Sequence, residues 1–173
     1  MRIIAGTLKG RLLKGPKSEA RPSSEMLRGA LFNICQDIEG LTFLDLFAGS
    51  GAVGFEALSR GASHVTFVDN DKGSLAAIRA NNTALAMTGQ VTILPYDAER
   101  ALKTVGLFDI IFLDPPYALP VHNFIARCAT HLKPGGSLFV EDRHGSPTLE
   151  EPLTLITTRR FGDSRLRHFR IGC

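Results

Sequence analysis

The sequence predicts an α/β fold: a doubly wound, mostly parallel seven-stranded sheet with a C-terminal antiparallel hairpin and a small N-terminal β-hairpin and helix extension. Three observations carry this reading. Five short apolar runs, "TFLDLF", "HVTFVDND", "VTILPYD", "FDIIFLDPPY" and "GGSLFVED", alternate with helix-like segments, and strands joined through helices build a parallel sheet covered on both faces. From "LTLITTRR" onward the alternation stops, and two β-like runs flank "FGDS" with no long helix between them, the pattern of a terminal antiparallel pair. At the other end, "RIIAGTLKGRLLKGP" alternates weakly around Gly6 and Gly10, as a small hairpin does.

The helices follow from their own signals. "RPSSEMLRGALFNIC" offers Ser23 or Ser24 as a cap and Glu25 in its first turn, with Met26, Ala30, Leu31 and Ile34 as its apolar face and Cys35 expected in the core. "GAVGFEALSRG" reads as a helix closed by Gly61, followed in order by "KGSLAAIRANNTALA", the short "AERALKTV" and "VHNFIARCATHL". The expected organisation is a basic extension over residues 1–36 and a main α/β domain over 37–173.

The 173 residues are ordinary in composition, 44% apolar and 21% charged. No apolar run reaches the length of a membrane span, and "MRIIAGTLKG" has no apolar stretch behind its charge. Cys35, Cys128 and Cys173 are widely spaced, which suits free thiols in a reducing cytoplasm. His64, His122, His131, His144 and His168 lack metal-ligand spacing and read as surface or edge residues, so no metal is expected. Net charge is +3, unevenly spread: residues 1–34 carry +5, residues 157–173 carry +4 and the centre −6. If the ends meet, they form a positive face suited to a polyanion.

Two stretches carry chemistry. In "LDLFAGSGAVGFEAL", Gly49, Gly51 and Gly54 form a GxGxxG between a strand and a helix, and Asp69 follows Gly49 by 20 residues at the end of the next strand. This is a nucleotide-cofactor fingerprint in spacing as well as letters, shared by nicotinamide dinucleotides and S-adenosylmethionine. Asp45, just before the loop, would repel a pyrophosphate and suits a cationic ligand such as the sulfonium cofactor. Asp97, ending the third run, is placed to accept from an adenine amine or to cap the next helix. Phe47, Ser50, Asn70 and Ala98 flank these acids and glycines and join the expected cofactor set.

The second stretch is "DPPY" at the end of the fourth run, where such sheets bind ligands. A nucleobase amine is a poor nucleophile because its lone pair is delocalised into the ring. It needs acceptors that favour a pyramidal nitrogen. Asp114 and the Pro115 carbonyl can supply them, Pro115 and Pro116 fix the backbone, and Tyr117 offers a stacking face. Glu141 and Asp142, after the fifth run, are placed either to touch the site or to form a solvated strand end, and the second is the preferred reading.

With "LDLFAGSGAVGFEALSRGA", "DPPY" and "RIIAGTLKGRLLKGP…RPSSEMLRGALFNI", the chain resembles the bacterial 16S ribosomal RNA guanine-N2 methyltransferase family over nearly its whole length. The resemblance implies a class I, Rossmann-like methyltransferase fold, S-adenosyl-L-methionine as cofactor, and guanine 966 of 16S rRNA in the assembling 30S subunit as target. Separately, a monomer is expected. Carried over, Asp45, Gly49 and Gly51 shape the cofactor loop, Asp69 takes the ribose, Asp97 the adenine, and Asp114 to Tyr117 the amine. Where the family has "RPTTDRVRE", this chain has "RPSSEMLRG", keeping Arg21, Pro22 and Arg28. Arg2, Lys9, Arg11, Lys14, Arg21 and Arg28 are the expected RNA contacts, with the arginines of the terminal hairpin as further candidates. The rival readings are an amino-methyltransferase acting on DNA adenine or cytosine or on protein glutamine, a nicotinamide-dependent oxidoreductase, and a non-catalytic RNA-binding module.

Overall fold

A computed structural model describes residues 1–15, 25–116, 118–143 and 152–172. Its seven strands, β1 (Thr42–Leu46), β2 (His64–Val68), β3 (Val91–Leu94), β4 (Phe108–Leu113), β5 (Leu132–Arg143), β6 (Leu153–Phe161) and β7 (Ser164–Ile171), form one sheet in the order β3-β2-β1-β4-β5-β7-β6. The β1–β2, β1–β4, β2–β3 and β4–β5 pairs are parallel, while β7 runs antiparallel to both β5 and β6. Strand order reverses between β1 and β4, which places the topological switch point at the two expected functional stretches.

The helices are α1 (Glu25–Cys35), α2 (Ala52–Ser59), α3 (Lys72–Leu85), α4 (Ala98–Leu102) and α5 (Val121–Ala129). Alternating strand residues feed two cores, one on each face of the sheet. Phe43, Phe67, Phe112 and Phe139 pack with α1, α2 and the N-terminal residues Ile3 and Leu13. Leu46, Val68, Leu113 and Val140 pack with α4 and α5. Gly54 lets α2 lie close on the sheet: a Cβ there would sit 2.3 Å from the Phe67 ring.

The N-terminal turn is a short hairpin. Arg2 and Leu12 form one antiparallel bridge, Ile3 N–H donates to the Arg11 carbonyl at 3.0 Å, and Gly6 and Gly10 both have positive φ. It is fastened to α2 by Glu56. This fully buried carboxylate accepts from the backbone N–H of Ile4 at 2.7 Å and of Ala5 at 3.0 Å, and from Arg60 Nε at 2.8 Å. The Ser59 hydroxyl adds a bond to the Ala5 carbonyl and accepts from Leu8 N–H.

Several local expectations change. The buried face of α1 is Leu27, Arg28, Leu31 and Phe32, whereas Met26 is exposed. Arg28, expected at the RNA surface, lies inside, and its Nη2 donates to the Arg2 carbonyl at 3.0 Å. Burial disfavours its charge, and the carboxylates of Glu56 and Glu25 oppose that loss. Cys35 is half-buried. Asp142 is no solvated strand end: it is buried, with Arg165 Nε 2.7 Å from one oxygen and Arg167 Nη2 bonded to the other. Arg167 is therefore committed inside the protein, whereas Arg159, Arg160 and Arg170 remain exposed. Ser23, Ser24, Arg21, His144 and Cys173 lie outside the described residues. Among those residues no helix is long and apolar enough to cross a membrane.

His168 also departs from the surface reading. It is buried, lies flat on Phe139 with ring centroids 4.4 Å apart, and places Nε2 3.0 Å from Ser137 Oγ. Burial, aided by Arg170, pushes its pKa down from 6.5 to about 4. The unfolded chain thus takes up a proton that the folded one refuses. The stabilisation is complete above about pH 6.5 and is lost as pH falls toward 4. Denaturant titrations across this window should show a loss of up to about 3 kcal/mol, and His168→Gln should remove that share of the pH dependence.

Candidate active site

The glycine loop leaves β1 through three positive-φ residues, Phe47 (62°), Gly49 (57°) and Gly51 (77°). A bulky residue at positive φ is unusual, and here neighbours fix it. The Phe47 ring packs edge-on against Phe124, Ala48 N–H donates to the Val68 carbonyl at 3.0 Å, and Gly51 N–H to the Ala48 carbonyl at 2.7 Å. Asp69 closes the loop from the end of β2. One of its oxygens accepts Gly49 N–H and the other Asp71 N–H, each at 2.8 Å. Partial burial nevertheless raises its pKa.

Asp45 works from inside the sheet. It is 1% exposed, and its Oδ2 accepts Gly54 N–H at 3.0 Å. Gly51, at the N-cap position of α2, has no side chain to cap with, so Asp45 supplies the missing acceptor across the chain. Burial lifts its pKa well above the carboxylate range despite the Gly54 bond, and the charges of Asp114 and Asp69 push the same way. A cationic group placed beside Asp45 would relieve that cost.

Phe47, Val68, Asp69, Asn70, Tyr96, Asp97 and Ala98 line a cleft at the carboxyl ends of β1, β2 and β3. Five of the sequence-predicted cofactor residues meet there. Asp45, Gly49, Ser50 and Gly51 belong to the adjoining strand and loop and do not line it. Asp97 also caps α4, accepting Arg100 N–H at 2.8 Å. Val68 and Tyr96 were not among the expected residues. Tyr96 lines the cleft, and the Arg100 guanidinium lies 4.1 Å from its ring centroid. An aromatic residue two positions beyond β3 was the available signal.

Asp114 and Pro115 follow directly on β4, half-buried and buried respectively, and Pro116 is exposed, its carbonyl accepting Leu119 N–H at 2.9 Å. Tyr117 lies outside the described residues. Because β1 pairs with both β2 and β4, the Asp69 cleft and the Asp114 strand end flank the same glycine loop.

A further unforeseen residue joins the extension to that loop. Asn81 of α3 is buried. Its Oδ1 accepts Lys14 N–H at 2.8 Å, while its Nδ2 donates to the Lys14 carbonyl at 3.0 Å and to the Ser50 carbonyl at 3.1 Å. Ser50 Oγ in turn donates to Met1 Sδ at 3.6 Å. Arg2, Lys9, Arg11 and Lys14 are all exposed on this segment, and Arg11 Nη2 donates to the Ala84 carbonyl at 2.7 Å.

The family model described as "Conserved hypothetical protein 95" matches residues 1–170. The chain belongs to this family. A Haemophilus influenzae relative, "Ribosomal RNA small subunit methyltransferase D", is 35% identical over 172 residues, covering 94% of this chain and 89% of its own. The Escherichia coli K12 protein of the same name is 37% identical over 120 residues, 68% of this chain and 60% of its own. The solved structure "Putative methyltransferase yhhF from Escherichia coli" superposes with a TM-score of 0.89 at 29% identity, covering 100% of this chain and 98% of that one. The Rossmann-like class I methyltransferase architecture expected from the sequence is therefore the fold of this family member.

In this family member, Asn81→Ala strips the Lys14 and Ser50 backbone groups of their buried partners, a cost of about 2–3 kcal/mol. Hydrogen exchange should quicken at Lys14 and across Gly49–Gly51, while the amides of β4 and β5 stay protected. Unchanged exchange at the loop would show that Asn81 does not brace it.

Proposed function

We propose that this chain methylates the exocyclic N2 amine of a guanine in 16S ribosomal RNA, using S-adenosyl-L-methionine, on the assembling small subunit in the cytoplasm. The observation that carries this reading is that the Asp69 cleft and the Asp114 strand end flank one glycine loop at the switch point. The relatives named ribosomal RNA small subunit methyltransferase D support the substrate class.

The residues fit an adenosyl ligand with a positively charged tail. Asp69 and Asp97 offer carboxylate acceptors on the cleft wall, Phe47 and Tyr96 offer apolar faces, and Asp45 is a buried carboxylate that a cation would stabilise. When bound, S-adenosylmethionine supplies an electrophilic methyl on sulfur. What the chain contributes is position. Asp69 holds the loop in shape, and the Asp45–Gly54 bond keeps α2 in register with β1. Asp114 and the Pro115 carbonyl accept the amine's N–H groups, aiming its lone pair and favouring the tetrahedral nitrogen. The exposed cations Arg2, Lys9, Arg11 and Lys14, with Arg159, Arg160 and Arg170, provide salt-dependent grip on phosphates.

The test uses labelled S-adenosylmethionine and small subunits from cells lacking the enzyme. The wild type should label one guanine of 16S rRNA. Asp114→Ala should lose on the order of 10³-fold in rate while binding S-adenosylhomocysteine as before. Label on protein or DNA but not on RNA would overturn the assignment.

A further inference from the structure

The strand register points to one more side chain at the acceptor position. Along β5, Phe139 packs in the core beneath α1 and α2, while Leu138 and Val140 pack in the core beneath α4 and α5. Glu141 is two residues beyond Phe139 and pairs with Leu166, itself in the first core, so it continues the Phe139 face. On β4, Phe112 belongs to the same core, and Asp114 stands two residues beyond it. Leu113 and Val140 are register partners, so the next step of the parallel ladder sets Asp114 beside Glu141. Asp45 stands two residues beyond Phe43 and Asp69 two beyond Phe67, both on that face. Their separate tasks are visible: Asp69 holds Gly49, and Asp45 holds Gly54. Asp142 points to the opposite face, where Arg165 and Arg167 hold it. Glu141, half-buried, is thus the β5 carboxylate on the acceptor side.

We propose that Glu141 is a specificity-determining residue that accepts the ring N1–H of the guanine whose N2 amine is held by Asp114 and the Pro115 carbonyl. This rests on the reading of Asp114 and Pro115 as the amine site given above. The chemistry discriminates sharply. Guanine presents a ring N–H donor directly beside its exocyclic amine. Adenine and cytosine present a ring nitrogen lone pair in the equivalent place, and a glutamine amide presents no ring nitrogen. Two adjacent carboxylates therefore match the donor–donor edge of guanine and repel the donor–acceptor edges of the other two bases. A site built to bond a donor also rejects analogues that lack it, because its own acceptor is then left unpaired.

The experiment compares guanine with 2-aminopurine at the target position of reconstituted small subunits. 2-Aminopurine keeps the amine but has an acceptor at N1. Wild type and Glu141→Gln are assayed for kcat/KM on each. Glutamine can donate to the N1 acceptor, so the guanine preference should shrink by on the order of 10- to 100-fold in the variant. Intrinsic differences in amine reactivity cancel in that ratio of ratios. S-adenosylhomocysteine affinity and thermal midpoint should stay unchanged, which separates selectivity from damage to the fold. An unaltered preference, equal loss on both bases, or a variant that no longer folds or binds S-adenosylhomocysteine would overturn the proposal. Absence of methylation on guanine by the wild type would instead remove the reading beneath it.

Discussion

Everything at the carboxyl edge of this sheet depends on a glycine loop that cannot hold itself. Gly49 and Gly51 supply the positive φ that the turn needs, and at the N-cap position Gly51 contributes no side chain to α2. The surrounding strands provide what the loop lacks. Asp69 takes the Gly49 N–H, Asp45 takes the Gly54 N–H, and Asn81 holds the Ser50 carbonyl. Each contact spends a buried or half-buried polar group on the backbone, and such groups are costly unless paired. The outcome is a rigid turn whose exposed edge is set by side chains on β1, β2 and α3.

The same bracing brings the N-terminal extension into the architecture. Glu56 and Ser59 fasten residues 4–8 to α2, and Asn81 fastens Lys14 to α3 beside the loop. The exposed basic side chains of that segment therefore stand on a backbone tied to the loop's own supports. Under the proposed function, a polyanion gripped there would be referenced to the methyl donor through a few hydrogen bonds.

What was legible in the sequence was local. The GxGxxG and the acid 20 residues beyond it lie within one βαβ unit, where short-range geometry decides the outcome, and the alternation of apolar runs repeats such units along the chain, which implies a parallel sheet with right-handed crossovers. What was not legible depends on partners far along the chain. Glu56 meets Ile4 across 52 residues, and Asn81 meets Lys14 across 67. Nothing in "GFEALS" or "RANNTA" announces those bonds. Arg28 and Arg167 read as surface cations because arginine usually is one. Their burial depends on a carbonyl at Arg2 and a carboxylate at Asp142 that only the fold supplies. His168 misled in the same way, since its ring needed Phe139 from another strand to make burial favourable. In the site, five residues of the cleft were found from strand ends, whereas Val68 read only as part of a strand and Tyr96 was missed because an aromatic after a strand has no spacing rule of its own.

Under the proposed function, the cleft beside Asp69 is built for an adenosyl ligand with a cationic tail rather than for a dinucleotide. Calorimetric titration of S-adenosylhomocysteine and of NAD into the wild type and Asp69→Asn tests it most directly. S-adenosylhomocysteine should bind saturably, weakened on the order of tenfold or more in the variant through loss of one charged acceptor, and NAD should not bind at comparable concentration. Tight binding of NAD, or S-adenosylhomocysteine affinity indifferent to Asp69, would contradict it.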